Sequence, residues 1–75
     1  MIVLFFGIVK EITGVSEMEV KDCNDLYSLK ETLLIQHPAL KNQTFQMAVN
    51  KKIFSDNISI NDNDVIALLP PFSGG

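Results

Sequence analysis

The chain contains no arginine. Its six basic residues are all lysines, set against nine acidic ones, for a formal net charge of −3. Arginine's planar fork is the usual reader of phosphates and guanine edges, and the lysines form no basic patch, so no nucleic-acid binding is expected. An acidic surface instead favours encounter with a partner that presents a basic face. The single cysteine, Cys23, excludes an internal disulfide and a multi-cysteine zinc site, and a reducing cytosol is its natural setting. It sits in a polar Asp22-Cys23-Asn24 with no histidine nearby, a poor environment for a nucleophile. The one histidine, His37, precedes Pro38 and has no second nitrogen or sulfur ligand in sight. It is expected to cap the last carbonyls of a helix, and no metal site is expected. Apolar runs are short. Met1 to Phe6 is too brief for the apolar region of a signal peptide and lacks a basic lead-in, and nothing approaches a membrane span. These absences point to a cytoplasmic protein.

What is present fits one small domain. Seventy-five residues lie near the lower limit for folding without staples, while 47% hydrophobic and 20% charged residues argue against disorder. Ile2 to Phe6 is a continuous apolar run, the pattern of a central strand buried on both faces. After Gly7, apolar residues at 8, 9 and 12 followed by Gly14 suit one or two helical turns closed by that glycine. Ser16 to Val20 alternates and predicts a second strand, antiparallel to the first. Asn24 and Asp25 offer an N-cap to an amphipathic helix with Leu26, Leu29 and Leu33 on one face, ending near Gln36 before Pro38. A polar link leads to a third strand in which Phe45, Met47 and Val49 alternate, and Asn50-Lys51 turns into a short fourth strand around Ile53 and Phe54. Asn61-Asp62-Asn63-Asp64 is a dense turn signal before the last strand, Val65 to Leu69.

Two strongly apolar strands at opposite ends of a short chain are expected side by side, parallel and central in a mixed sheet. With one main helix across one face, this is an α+β fold of the β-grasp type. Val3, Phe5, Ile66 and Leu68 then face the helix, together with Leu26, Leu29, Leu33, Met47 and Val49. By the period of two, Leu4, Phe6, Ala67 and Leu69 point the other way, where no second helix is available to cover them. Either loops shield part of that patch, or it is a docking surface, with Ile53 on its border.

The domain is expected to span 1–69 and a tail 70–75. Pro70 and Pro71 cannot extend a ladder and favour an extended chain. Phe72 is an apolar candidate for a partner's pocket. Ser73 leads into Gly74 and Gly75, which lack a Cβ and can thread a narrow slot. Stretched out, such a tail reaches roughly 20 Å at about 3.3–3.6 Å per residue, enough to enter a partner's active site. The terminal carboxylate of Gly75 is the candidate reacting group; the alternative is an ordinary frayed chain end.

These residues resemble a known family along the whole chain. Val3-Leu4-Phe5-Phe6, Leu29-Lys30-Glu31, Ala48-Val49-Asn50 and Leu69-Pro70-Pro71-Phe72-Ser73-Gly74-Gly75 occur in the order found in the MoaD-like branch of the ubiquitin-like sulfur carriers, small subunits of molybdopterin synthase. The resemblance implies a ubiquitin-like β-grasp and a role in molybdenum cofactor biosynthesis. By it, a ubiquitin-activating-type adenylating enzyme would use ATP and magnesium to convert the Gly75 carboxylate to an acyl-adenylate. A sulfur donor would then leave a thiocarboxylate, delivered to cyclic pyranopterin monophosphate in the large subunit of a heterotetramer. The resemblance places the partner interface at Phe6, Ile53 and Leu69, and tail insertion at Pro70 through Gly74. No cofactor is bound by this chain itself on that reading, and no side-chain constellation makes it catalytic alone. A carrier of the thiamine-thiazole type remains an alternative, although its tails generally lack the proline pair. So does a ubiquitin-like protein modifier, although modifiers often carry basic residues before the glycines and this tail is uncharged.

Overall fold

A computed structural model describes residues Met1–Pro71. Strand β1 (Ile2–Phe5) is followed by helix α1 (Gly7–Thr13), strand β2 (Glu17–Glu19) and helix α2 (Leu26–Gln36). A 3₁₀ turn (Pro38–Asn42) then leads to β3 (Gln46–Val49), β4 (Lys52–Phe54) and β5 (Val65–Leu69). The five strands form one sheet in the order β2-β1-β5-β3-β4. The first and last strands are parallel neighbours, with Val3 opposite Ile66 and Phe5 opposite Leu68, and all other pairings are antiparallel. This mixed sheet, with α2 across one face, is the expected α+β β-grasp.

Local chemistry places the helices. Asp25 has extended backbone and its carboxylate accepts the Ser28 N–H at 2.8 Å, satisfying one of the free donors at the start of α2. The helix ends where the His37 N–H closes onto the Leu33 carbonyl at 2.8 Å, just before Pro38. Helix α1 stops at Gly14, whose left-handed φ of 76° lets its N–H reach the Lys10 carbonyl.

One face of the sheet makes the core. Val3, Phe5, Ile66, Leu68, Leu29 and Leu33 are all essentially inaccessible, joined by Leu26, Met47, Val49 and Val9 of α1. The residues assigned to this face from periodicity are therefore the ones that pack there. Three details differ from the sequence reading. Strand β1 is fully buried on one face only, because Ile2 and Leu4 stay half-exposed on the side with no helix. Phe45 precedes β3 and packs against the core from outside the ladder. The His37 side chain does not cap carbonyls: its backbone N–H does so, while its ring meets the Phe5 ring edge-on at 6.1 Å.

Several core contributors were not expected, Leu40 and Ile60 among them. The link after Pro38 is a 3₁₀ turn that buries Leu40 beneath α1 and α2. The segment before the last turn also docks. Leu26 donates to the Ile58 carbonyl at 2.9 Å and Ile60 to the Asn24 carbonyl at 3.0 Å, which seats Ile60 in the core.

Candidate functional site

The opposite face of the sheet has no helix, and strand register fixes what lies on it. Leu4 of β1 stands opposite Ala67 of β5, Ala67 opposite Ala48 of β3, and Ala48 opposite Ile53 of β4. These four residues form one row across four strands, with Glu17 of β2 continuing it beyond Leu4. Leu69, paired with Gln46, lies one step further along β5 on the same face. Phe6, the first residue past β1, is 44% exposed and Ile53 is 53% exposed. Phe6, Ile53 and Leu69, the three interface positions taken from the sequence, thus share one face of the sheet. Small Ala48 and Ala67 lie between Leu4 and Ile53, with Ala48 buried and Ala67 half-buried. Toward the start of β5, a depression of ≈ 390 Å³ is lined by Leu4, Phe6, Val65 and Ala67, with Asn50 and Lys51 at its rim.

The rim is held by a polar clamp that the sequence reading registered only as two turns. The Asn50 side chain donates to the Asp64 carboxylate at 2.8 Å and accepts the Val65 N–H at 3.0 Å. The other Asp64 oxygen accepts the Asn61 N–H at 2.9 Å. The Asn50 amide, followed by the Asn61 N–H, holds the Asp64 carboxyl below its ordinary value. Asn50 adopts φ of 50°, a left-handed conformation that asparagine tolerates better than most residues. The clamp ties the β3–β4 turn to the start of β5.

The tail leaves from the far end of the same strand. The Phe6 N–H donates to the Leu68 carbonyl at 3.2 Å, and β5 ends at Leu69. Pro70 and Pro71 follow, both half-buried. The remaining positions expected to act, Phe72, Ser73, Gly74 and Gly75, lie outside the described residues. Among the described residues, no group of three or more His, Cys, Asp or Glu side chains could hold a metal ion. Cys23 is buried, its sulfur 3.6 Å from the Thr32 hydroxyl, a packed thiol rather than an accessible one. No helix among these residues is long and apolar enough to cross a membrane.

A mixed five-stranded sheet with parallel central end-strands, one crossing helix and a terminal strand running into a proline pair defines a ubiquitin-like β-grasp domain. The sequence profile described as "ThiS family" matches residues 3–75, and the chain belongs to that family as a MoaD-like sulfur carrier. It is 33% identical to the molybdopterin synthase sulfur carrier subunit of Chlamydomonas reinhardtii, over 97% of this chain and 95% of that protein. Among solved structures, it resembles a chain in the protein–protein complex of subunits 1 and 2 of molybdopterin-converting factor from Helicobacter pylori 26695. That likeness has a TM-score of 0.74 and 35% identity and covers 99% of this chain and 96% of the other. SAMP1 from Haloferax volcanii has the same fold, with a TM-score of 0.82 at 23% identity over 100% of this chain and 98% of that one.

Proposed function

We propose that this carrier supplies sulfur to a molybdopterin synthase, with Gly75 as the reacting terminus and the helix-free face as the surface that docks on partners. The observation that carries the reading is the continuity of site and strand. The apolar row crosses β5 at Ala67, and β5 continues through Leu69 directly into Pro70 and Pro71, so a partner that covers Leu69 sits at the root of the tail.

The chemistry explains the residue requirements. A carboxylate is a poor electrophile because oxide is a prohibitive leaving group. An adenylating partner of the ubiquitin-activating type transfers AMP from ATP, with magnesium, to the Gly75 carboxylate and releases pyrophosphate. A donor that delivers sulfur at the hydrosulfide level then attacks the carbonyl, the bond to AMP breaks and AMP leaves, and the product is a thiocarboxylate. That anion is a soft nucleophile at neutral pH, following the logic of activated thiolates. Within a large subunit the thiocarboxylate sulfur bonds to a side-chain carbon of cyclic pyranopterin monophosphate, and the C–O bond at that carbon breaks, its oxygen leaving as water or staying with the phosphate. Hydrolysis of the bond from sulfur to the Gly75 carbonyl returns the carboxylate, and a second loaded carrier supplies the other sulfur of the dithiolene. Tethering the sulfur replaces dilute sulfide with a positioned one, for which effective molarities of roughly 10⁵ M or more are attainable. Gly75 has no Cβ and leaves its carbonyl open to attack. Acids, bases and phosphate-binding cations come from the partners.

The subunit complex named for the Helicobacter pylori relative supports a large-subunit partner for this chain. Mass spectrometry of the protein isolated from cells tests the reading. Exchange of one oxygen for sulfur at Gly75 is expected, and deletion of Gly75 should abolish transfer to the pterin in a reconstituted synthase while the fold persists. Branched peptides carrying Gly75 on lysines of other proteins, with no sulfur exchange, would instead make the chain a modifier. Sulfur reaching a thiazole precursor and not the pterin would assign it to thiamine synthesis.

A further inference from the structure

The root of the tail rests on a residue that the proposed chemistry does not use. Gly7 follows Phe6 where β1 gives way to α1, and it has φ of 56°, in the left-handed region. A Cβ built there would lie 2.9 Å from Pro70 Cγ and 3.6 Å from Pro70 Cδ, so the proline ring fills the space a side chain would need. The obstacle is a closed ring, which cannot swing aside as a lysine end could. One residue earlier the Phe6 peptide is held on both sides. Its N–H donates to the Leu68 carbonyl, and its carbonyl accepts the Val9 N–H at 3.1 Å. On the other flank Leu69 pairs with Gln46 of β3. The last ladder position is thus fixed, and the next ring lies on bare backbone.

We infer that Gly7 is a positioning residue for the tail: the contact with Pro70 sets the direction in which the chain leaves β5, and so where the terminus is delivered. This rests on the reading of Gly75 as the reacting terminus. Proline cannot continue the β1–β5 ladder, and the left-handed turn at Gly7 carries β1 away at the matching point, which opens the seat. A pinned root with a stiff first bond restricts the volume the tail explores. A partner already engaged on the apolar face then meets the terminus near its site more often.

Two glycines allow a matched test. Gly14 also has a left-handed φ, of 76°, yet a Cβ there meets nothing within 4 Å. Gly14→Ala therefore imposes a comparable backbone strain on α1 without touching the tail. In the full chain, Gly7→Ala is expected to lower kcat/KM for Gly75 adenylation by an adenylating partner about tenfold, the scale of a displacement of under an ångström at a reacting centre. Gly14→Ala should stay within about twofold of the wild type at a similar loss of Tm. Pro70→Ala should reproduce the loss, and the Gly7→Ala/Pro70→Ala double variant should be no worse than either single change, because both remove one contact. Independently of activity, a proton NMR cross-peak between Gly7 Hα and Pro70 Hγ is expected in the wild type. Equal losses in Gly7→Ala and Gly14→Ala, additive effects in the double variant, or absence of that cross-peak would overturn the inference. If the cross-peak is present but the wild type accepts neither AMP nor sulfur at Gly75, the functional reading fails while the seat stands.

Discussion

Asn50 and Asp64 are fourteen residues apart in the chain and share a 2.8 Å hydrogen bond between their side chains. Through it the turn between β3 and β4 is fastened to the start of β5. The same asparagine accepts the Val65 N–H, and its backbone N–H donates to the Val65 carbonyl at 2.8 Å. One residue thus replaces the ladder bonds that β3 would have made had it continued.

Asn50→Ala removes that replacement and places a less tolerant residue at positive φ. It should cost about 1–2 kcal/mol, with the midpoint of thermal unfolding lowered by several degrees. Asn50→Gly, which relieves the backbone term alone, should recover part of the loss. Equal stability of Asn50→Ala and the wild type in urea would show that the clamp is decorative.

Acid should weaken the fold through the two clamped carboxylates. Asp25 is held below its ordinary value of 3.8 by the Ser28 hydroxyl first, then the Ser28 N–H and the Asn57 amide; Asp64 is held down by Asn50 and Asn61. Because both folded values lie below the unfolded ones, the folded state binds fewer protons. The resulting stability is present in full above the unfolded value and is lost as pH falls through the folded value. Urea midpoints should be flat near neutrality and decline from about pH 4–5 downward. In Asp25→Asn/Asp64→Asn the decline should be shallower, and an unchanged acid limb would remove these two groups from the explanation.

Substitutions on the two faces of the sheet should separate binding from stability. Leu33 is fully buried, and Leu33→Ala should cost about 2–5 kcal/mol, enough to leave so small a domain partly unfolded at 37 °C. Phe6, Ile53 and Leu69 lie on the opposite face, exposed or half-buried. Phe6→Ala or Leu69→Glu should change the unfolding free energy by under about 1 kcal/mol, as surface substitutions commonly do. Each should weaken binding to a large subunit at least about tenfold in calorimetry, the behaviour of a central interface residue. Loss of folding in Leu69→Glu would place that residue with the core instead.

The parts of this fold legible from the sequence are those set by side-chain period. Val3 and Phe5 alternate with Leu4 and Phe6, which assigns each to a face before any partner strand is known. Two apolar strands at the chain ends likewise imply their own adjacency. The continuous run at β1 by itself reads as buried on both faces; it is the presence of a single main helix that leaves Leu4 and Phe6 without cover. Leu40 was illegible because one apolar residue in a five-residue 3₁₀ turn shows no period. The Asn50 clamp and the contact between Gly7 and Pro70 join positions 14 and 63 residues apart, and only register brings such pairs together. Asn50 had signalled a turn, but not a bond across to Asp64.

The two outermost strands, β2 and β4, are three residues long. Sheet borders invite pairing with neighbouring molecules, and brevity is one of the ways proteins discourage it. On β2 the outward positions are glutamates, so two copies approaching there would set like charges together. A domain with an uncovered greasy face is thereby discouraged from pairing strand to strand through β2.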